Sequence, residues 1–232
     1  MRNILITGAT SGIGDKIAQV LSKNNDVFMS GRRKLDKVNY YACDLVDMFE
    51  IEALHNKAVE YFNSDIDVLI NCAGQYIYKP IEKMELDEIS YLLDVNFKSA
   101  YILSSLVIPG MKKKKWGRII NIGSISGVVG EANASLYSAT KSAFNGFTKA
   151  LALEVATDNI TVNTINPGWV ETPLVQNALN QEDIQEVIDV TPQKRFVEPI
   201  EIARLCQYLI TDHAKGITGQ GINLCAGLTC GS

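Results

Sequence analysis

Short apolar runs alternate with longer amphipathic stretches from one end of the chain to the other. The first run, residues 3–7 (Asn-Ile-Leu-Ile-Thr), predicts a strand that leads straight into Gly8-Ala9-Thr10-Ser11-Gly12-Ile13-Gly14. An amphipathic segment then continues to about residue 24, with Ile13, Ile17, Val20 and Leu21 on one side. Further apolar runs predict strands at 26–30, 40–43, 66–71, 117–124, 160–166 and 221–224. Helical periodicity predicts helices at about 47–63, 86–114, 136–158 and 198–210. Residues 171–192 are polar and helix-prone without a firm period, and are expected to form a substrate lid. Strands alternating with helices imply an α/β fold: a doubly wound parallel sheet of about seven strands, helices on both faces, right-handed crossovers. No linker, repeat or low-complexity tract divides residues 1–232, so one domain is expected.

Composition narrows the class. A hydrophobic share of 47% and a charged share of 21% are those of an ordinary globule. The net charge of −4 argues against nucleic acid or an anionic membrane as the main partner. The opening strand leaves no room for a signal peptide, and no apolar run reaches the roughly 18 residues of a membrane span, so a cytoplasmic setting is expected. Five cysteines are scattered without a C-x-x-C pair, which predicts reduced thiols and no metal site.

In an open parallel sheet, ligands bind beyond the carboxyl ends of the strands. The glycine turn, Asp44, Asn71, Ser124 and Pro167 all fall at such ends, which predicts one shared site. A strand, glycine turn and helix together aim backbone N–H groups and a helix N-terminus at a phosphate. The spacing here is G-x-x-x-G-x-G rather than G-x-G-x-x-G. Folds that prefer NAD place an acid about 20 residues past the glycines, for the ribose 2′-hydroxyl. This chain has Gly31-Arg32-Arg33 there. A guanidinium fork suits a 2′-phosphate, so NADP(H) is favoured over NAD(H); a basic loop tip is the plainer alternative. Asp44 and Leu45 close the third strand where an adenine ring would lie, and the crossover before that strand is trimmed.

Tyr137 and Lys141 stand four apart in a helical pattern, with Ser124 thirteen residues upstream. Residues at that spacing share a helix face, about 5–6 Å apart at Cβ. A phenol has a reference pKa of about 10, and a fixed ammonium beside it favours the phenolate. One charge at about 4 Å offers roughly 4 kcal/mol at an effective dielectric of 20, enough for a shift of 2–3 units before desolvation is counted. The pair is therefore a candidate proton donor, although Tyr and Lys at this spacing are common on plain helix surfaces. Lysines 112–115 end a predicted helix and read as a solvated terminus complementing the helix dipole.

With these motifs in order, the whole chain resembles the short-chain dehydrogenase/reductase family. Thr7-Gly8-x-x-x-Gly12-x-Gly14 is similar to its cofactor turn, and Asn71-Cys72-Ala73-Gly74 to its N-N-A-G motif with one Asn replaced. Asn96, Ser124, Tyr137 and Lys141 match its catalytic tetrad, and Pro167-Gly168-Trp169-Val170-Glu171-Thr172 its nicotinamide-gripping segment. The resemblance implies a Rossmann-type sheet and hydride transfer between a nicotinamide and a ketone–alcohol pair. Tyr137 would move the proton, Ser124 would hold the carbonyl, and Lys141 would lower the Tyr137 pKa and bind the ribose. Asn96 would position a water, although an amide in mid-helix also fits a buried polar group with a backbone partner. The same resemblance assigns the cofactor to Gly8, Thr10, Ser11, Gly12, Ile13, Gly14, Arg32, Arg33, Asp44, Leu45, Asn71, Ala73, Gly74, Pro167, Gly168, Val170 and Thr172, with Tyr137 and Lys141. Trp169 reads as packing. A homotetramer or homodimer is implied, although Cys225-Ala226-Gly227 replaces the frequent D-G-G of the interface stretch.

The segment 117–172 is similar to bacterial 3-oxoacyl-(acyl-carrier-protein) reductases, which makes a carrier-bound 3-oxoacyl group one expected substrate. The alternatives are an NAD-dependent alcohol dehydrogenase of the same family and a nucleotide-sensing regulator without turnover. Retention of Tyr137 and Lys141 argues against the regulator.

Overall fold

The computed structural model describes residues 1–172, 175 and 181–230. Seven parallel strands form one sheet: β1 (Asn3–Ile6), β2 (Asp26–Gly31), β3 (Tyr40–Ala42), β4 (Val68–Asn71), β5 (Gly117–Ile122), β6 (Ile160–Pro167) and β7 (Gly221–Leu224). Their order is β3-β2-β1-β4-β5-β6-β7. The central runs are buried on both faces, which is why they read as near-continuous apolar segments rather than alternating ones.

The period of two along each strand sends neighbouring residues to opposite cores. Ile4 and Ile6 of β1 pack with Ile17 and Leu21 of α1 (Gly12–Leu21) and with Ile202 and Cys206 of the last helix. Leu5 between them packs on the other face, with Leu54 of α2 (Met48–Phe62), Leu103 of α4 (Ser99–Lys114) and Leu151 of α6 (Ser135–Val155). Each such fully buried Leu or Ile contributes roughly 2 kcal/mol. Further α-helices among the described residues are α3 (Leu86–Leu93), the short α5 (Ser126–Val129), α7 (Gln181–Val190) and α8 (Pro199–Leu209). Local chemistry sets their ends: Asp47 accepts from Phe49 N and Glu50 N at the start of α2, and Glu198 and Glu201 form a capping box around Pro199 at α8.

The expected doubly wound sheet is present, and the strand order reverses between β1 and β4. A crevice opens at such a reversal. The helix expected over 86–114 is interrupted. Residues Asp94–Lys98 form a π turn between α3 and α4, and Asn96 lies in it. One extra residue per turn at that point swings the Asn96 side chain toward the loop after β4. The segment expected as a lid, 171–192, contains α7; residues 173, 174 and 176–180 of it lie outside the described residues. Among the described residues no helix is long and apolar enough to cross a membrane.

Candidate active site at the carboxyl end of the sheet

The crevice is a cleft of about 300 Å³ running from the glycine turn to Tyr137 and Lys141. Its near wall is the turn between β1 and α1. Gly8 and Gly12 have φ of +68° and +54°, where a Cβ is strained. Space excludes side chains too: a Cβ on Gly8 would stand 2.7 Å from Ala73 Cα, and one on Gly14 2.3 Å from the Gly8 carbonyl oxygen. The Thr7 hydroxyl accepts from the backbone N–H groups of Cys72 (3.1 Å) and Ala73 (3.2 Å), fastening the end of β1 to the end of β4.

Beyond the turn stand the two arginines. Arg32 lines the cleft and donates to the Tyr91 hydroxyl at 3.0 Å; Arg33 stands at its edge and donates to the Thr10 carbonyl at 2.6 Å. Among the described residues neither forms an ion pair, so neutral acceptors position both guanidinium groups and their charge is uncompensated. Asp44 and Leu45 close the same end.

At the far end, Tyr137 is half-buried on α6, with Ser124 hydrogen-bonded to it from the loop after β5. The ring of Tyr76 meets it edge-on, centroids 4.9 Å apart. Burial pushes the Tyr137 phenol up to about 12; the Ser124 hydrogen bond pulls the other way and the Glu131 charge adds to the rise. Lys141, one helical turn further, is 4% exposed and donates to the Ile122 carbonyl at 2.9 Å. Burial lowers its ammonium to about 8. The expected lowering of the Tyr137 pKa by Lys141 is therefore absent from this arrangement. The shared helix face brings Nζ only to 5.8 Å from the centre of the Tyr137 ring, and burial is the largest influence on each group.

Asn96 is fully buried behind this pair. Its Nδ2 donates to the Gln75 carbonyl (2.9 Å) and Thr140 Oγ1 (3.1 Å), and its Oδ1 accepts from Gln75 N (2.7 Å). It clamps the loop after β4, where a Cβ on Gly74 would come 3.2 Å from Lys141 Nζ. The backbone-partner alternative for Asn96 describes these contacts.

Of the other residues singled out from the sequence, Thr10, Ser11, Gly12, Ile13, Gly14, Ala73, Gly74 and Thr172 line the cleft with Gly8. Asn71 does not: its Nδ2 donates to Asn121 Oδ1 at 2.8 Å, inside the sheet. Pro167 and Gly168 also stand back, in backbone bonds to Ile125 and Leu224, and Val170 is bridged to Val197. The pattern had not pointed to Tyr76 or Glu131. Tyr76 donates to Glu131 Oε1 across 55 positions of sequence, a pairing that no local period signals.

The sequence matches that of the short chain dehydrogenases over residues 2–183. It is 34% identical to a D-beta-hydroxybutyrate dehydrogenase of Cupriavidus necator, over 97% of each chain. It is also 34% identical to the 3-oxoacyl-(acyl-carrier-protein) reductase FabG of Vibrio cholerae, over 97% of this chain and 96% of that one. A Nodulation protein G of Azospirillum brasilense is similar at the same identity, over 97% and 96%.

Proposed function

The chain belongs to the short-chain dehydrogenase family and is an NAD(P)-dependent oxidoreductase; from that premise we propose that it reduces a ketone to a secondary alcohol with NADP(H). The observation that carries the cofactor preference is Arg32, lining the cleft beyond the glycine turn with no acid paired to it among the described residues. A guanidinium held by a neutral phenol keeps its charge for a phosphate. A ribose with a free 2′-hydroxyl would find no carboxylate acceptor in the Gly31-Arg32-Arg33 stretch.

The cleft fits a dinucleotide. Gly8, Gly12 and Gly14 add no side chains of their own to the turn, with the N-terminus of α1 behind it. Thr10, Ser11 and Ile13 would flank the diphosphate, Asp44 and Leu45 the adenine, and Ala73, Gly74, Lys141 and Thr172 the nicotinamide half. The roles of Asn71, Arg33, Pro167, Gly168 and Val170 in this reading are indirect, through the walls they brace. Bound there, the dinucleotide supplies the hydride.

The chain's own groups supply the proton. Burial keeps the Tyr137 phenol protonated near neutral pH, which is the state a carbonyl oxygen requires of a donor. Ser124 orients the same oxygen and stabilises charge developing on it. Lys141, still largely an ammonium below pH 8, opposes loss of charge balance when the phenol gives up its proton. Asn96 fixes the Gln75 backbone and so the wall facing Lys141.

A 3-oxoacyl carrier thioester is the substrate favoured within this proposal, in keeping with the similarity to the V. cholerae reductase. Assembly as a homodimer or homotetramer in a cytoplasmic setting belongs to the same proposal, supported by Tyr101 and Leu153 exposed on α4 and α6, and is tested by light scattering. The cofactor preference is tested by fluorescence titration with NADPH and NADH, wild type against Arg32→Ala. A selective loss of NADPH affinity is expected. Equal or tighter NADH binding by the wild type would overturn the preference and leave an NAD-dependent alcohol dehydrogenase.

A further inference from the structure

A carboxylate stands beside the reacting groups. Glu131, in the loop between α5 and α6, is half-buried. Its Oε1 accepts from the Tyr76 hydroxyl at 2.5 Å and its Oε2 from Ser126 Oγ at 2.7 Å. Ser126 is bonded in turn to Ser124 Oγ at 3.1 Å, and the Tyr76 ring abuts Tyr137. The charge therefore sits one hydroxyl away from Ser124 and one ring away from Tyr137, near enough to act on the Tyr137 phenol. Both of its partners are neutral, and an ionised carboxylate with two hydrogen bonds keeps further acceptor sites.

Among the described residues nothing cationic answers it, and Glu131 forms no ion pair. Of the two cations lining the cleft, Arg32 lies at the opposite end and Lys141 is bonded to Ile122.

The geometry points to Glu131 as a specificity-determining residue for the reaction proposed above: it admits ketones whose flank is neutral, hydroxyl-bearing or cationic, and rejects those with a carboxylate one carbon from the carbonyl. This inference rests on the ketone–alcohol proposal. A carbonyl held by Ser124 and Tyr137 puts its own substituents within a few bonds of the Ser126–Glu131–Tyr76 network. A free 3-oxo acid brings a second negative charge into that range, whereas its ester or thioester does not. Like charges at such separations, screened only by a partly buried wall, discriminate by about tenfold or more.

The test compares kcat/KM for acetoacetate and methyl acetoacetate, a pair differing in that one charge, with saturating NADPH. Wild type is expected to favour the ester by at least about tenfold, and Glu131→Gln to shrink that preference by about tenfold. Any general loss of rate from a loosened loop cancels in the ratio. Tyr76→Phe, which removes one hydrogen bond and keeps the charge, is expected to retain the wild-type ratio. Equal efficiency of acid and ester in the wild type, an unchanged ratio in Glu131→Gln, or a collapsed ratio in Tyr76→Phe would overturn the inference. Failure of the wild type to reduce acetoacetate, the ester and a panel of other neutral ketones would instead sink the ketone–alcohol proposal, and this inference with it.

Discussion

The two ends of the sheet treat buried charge in opposite ways. At the amino end, the fully buried Arg118 donates to the carbonyls of Gly117 (2.7 Å) and Asn159 (3.0 Å) and to Asp212 (3.2 Å). Trp116 lies between two guanidinium groups, Arg2 at 3.7 Å and Arg118 at 4.2 Å from its rings, and its indole N–H binds Asp212 at 2.8 Å. That hydrogen bond, with the nearby arginines, lowers the Asp212 pKa. Asp67 pairs with Lys114 at 2.7 Å and caps Asn3 N at 2.9 Å. At the carboxyl end, Lys141 is buried with a lone carbonyl for company, the Tyr137 phenol is pushed up, and Arg32 and Glu131 go without ion-pair partners among the described residues. One end matches its charges and holds the strands together. The other leaves them unmatched, which costs stability at the buried Lys141 and keeps the exposed Arg32 available for a ligand.

This contrast can be broken by substitution. Arg118→Ala carries the largest expected effect on stability. It removes hydrogen bonds to the Gly117 and Asn159 carbonyls, takes a guanidinium off Trp116 and empties a fully buried side-chain volume, costing about 3 kcal/mol. For a chain of this size that is a melting temperature lower by about 10 °C. Ketone reduction at 25 °C is expected to stay within about threefold of wild type. A large loss of activity without loss of stability would erase the division between the ends.

Lys141→Met is expected to act in the opposite sense, abolishing turnover while raising stability at pH 7. The native ammonium titrates at about 8 against an ordinary 10.5. Below pH 8 it is charged in both folded and unfolded chains, so the full burial cost, about 3 kcal/mol, is present. Between 8 and 10.5 the unfolded chain binds more protons, so wild-type stability rises with pH through that window. Allowing about 1 kcal/mol for the lost hydrogen bond to Ile122, the variant gains about 2 kcal/mol at pH 7. Thermal melts from pH 7 to 10.5 should show that advantage shrinking to nothing. A variant that melts below wild type at pH 7 would mean that Lys141 is matched after all.

A smaller effect is expected from Asn96→Ala. It releases the Gln75 backbone N–H and carbonyl, costing about 1–3 kcal/mol, and loosens the wall facing Lys141. Urea melts should register the cost, and KM for NADPH should rise together with a fall in kcat. Loss of stability with unchanged kinetics would make Asn96 a framework residue only.

These expectations also show where sequence reasoning reached and where it stopped. The sheet was legible because buried parallel strands leave apolar runs, and Ile4 to Ile6, Val68 to Asn71 and Gly117 to Ile122 are such runs. The glycine turn was legible because its φ values and its close approach to Ala73 admit little else. The π turn was not, since the period through Asp94–Lys98 is indistinguishable from that of a continuous helix until the Asn96 side chain finds Gln75. The sign of the Tyr137 shift is not legible either. Spacing gives the i, i+4 neighbour but not the burial of both groups, and burial decides. Tyr76 and Glu131 escaped notice because they meet only when the loop after β4 crosses the loop before α6.

The central claim is that the cleft at the carboxyl end is a hydride-transfer site in which Tyr137 supplies the proton. The most direct test is a single-turnover measurement of NADPH oxidation by a neutral ketone, wild type against Tyr137→Phe, with NADPH affinity measured alongside. The account predicts a rate lower by about 10²–10⁴-fold in the variant with NADPH binding retained. Equal rates in the two proteins would contradict it.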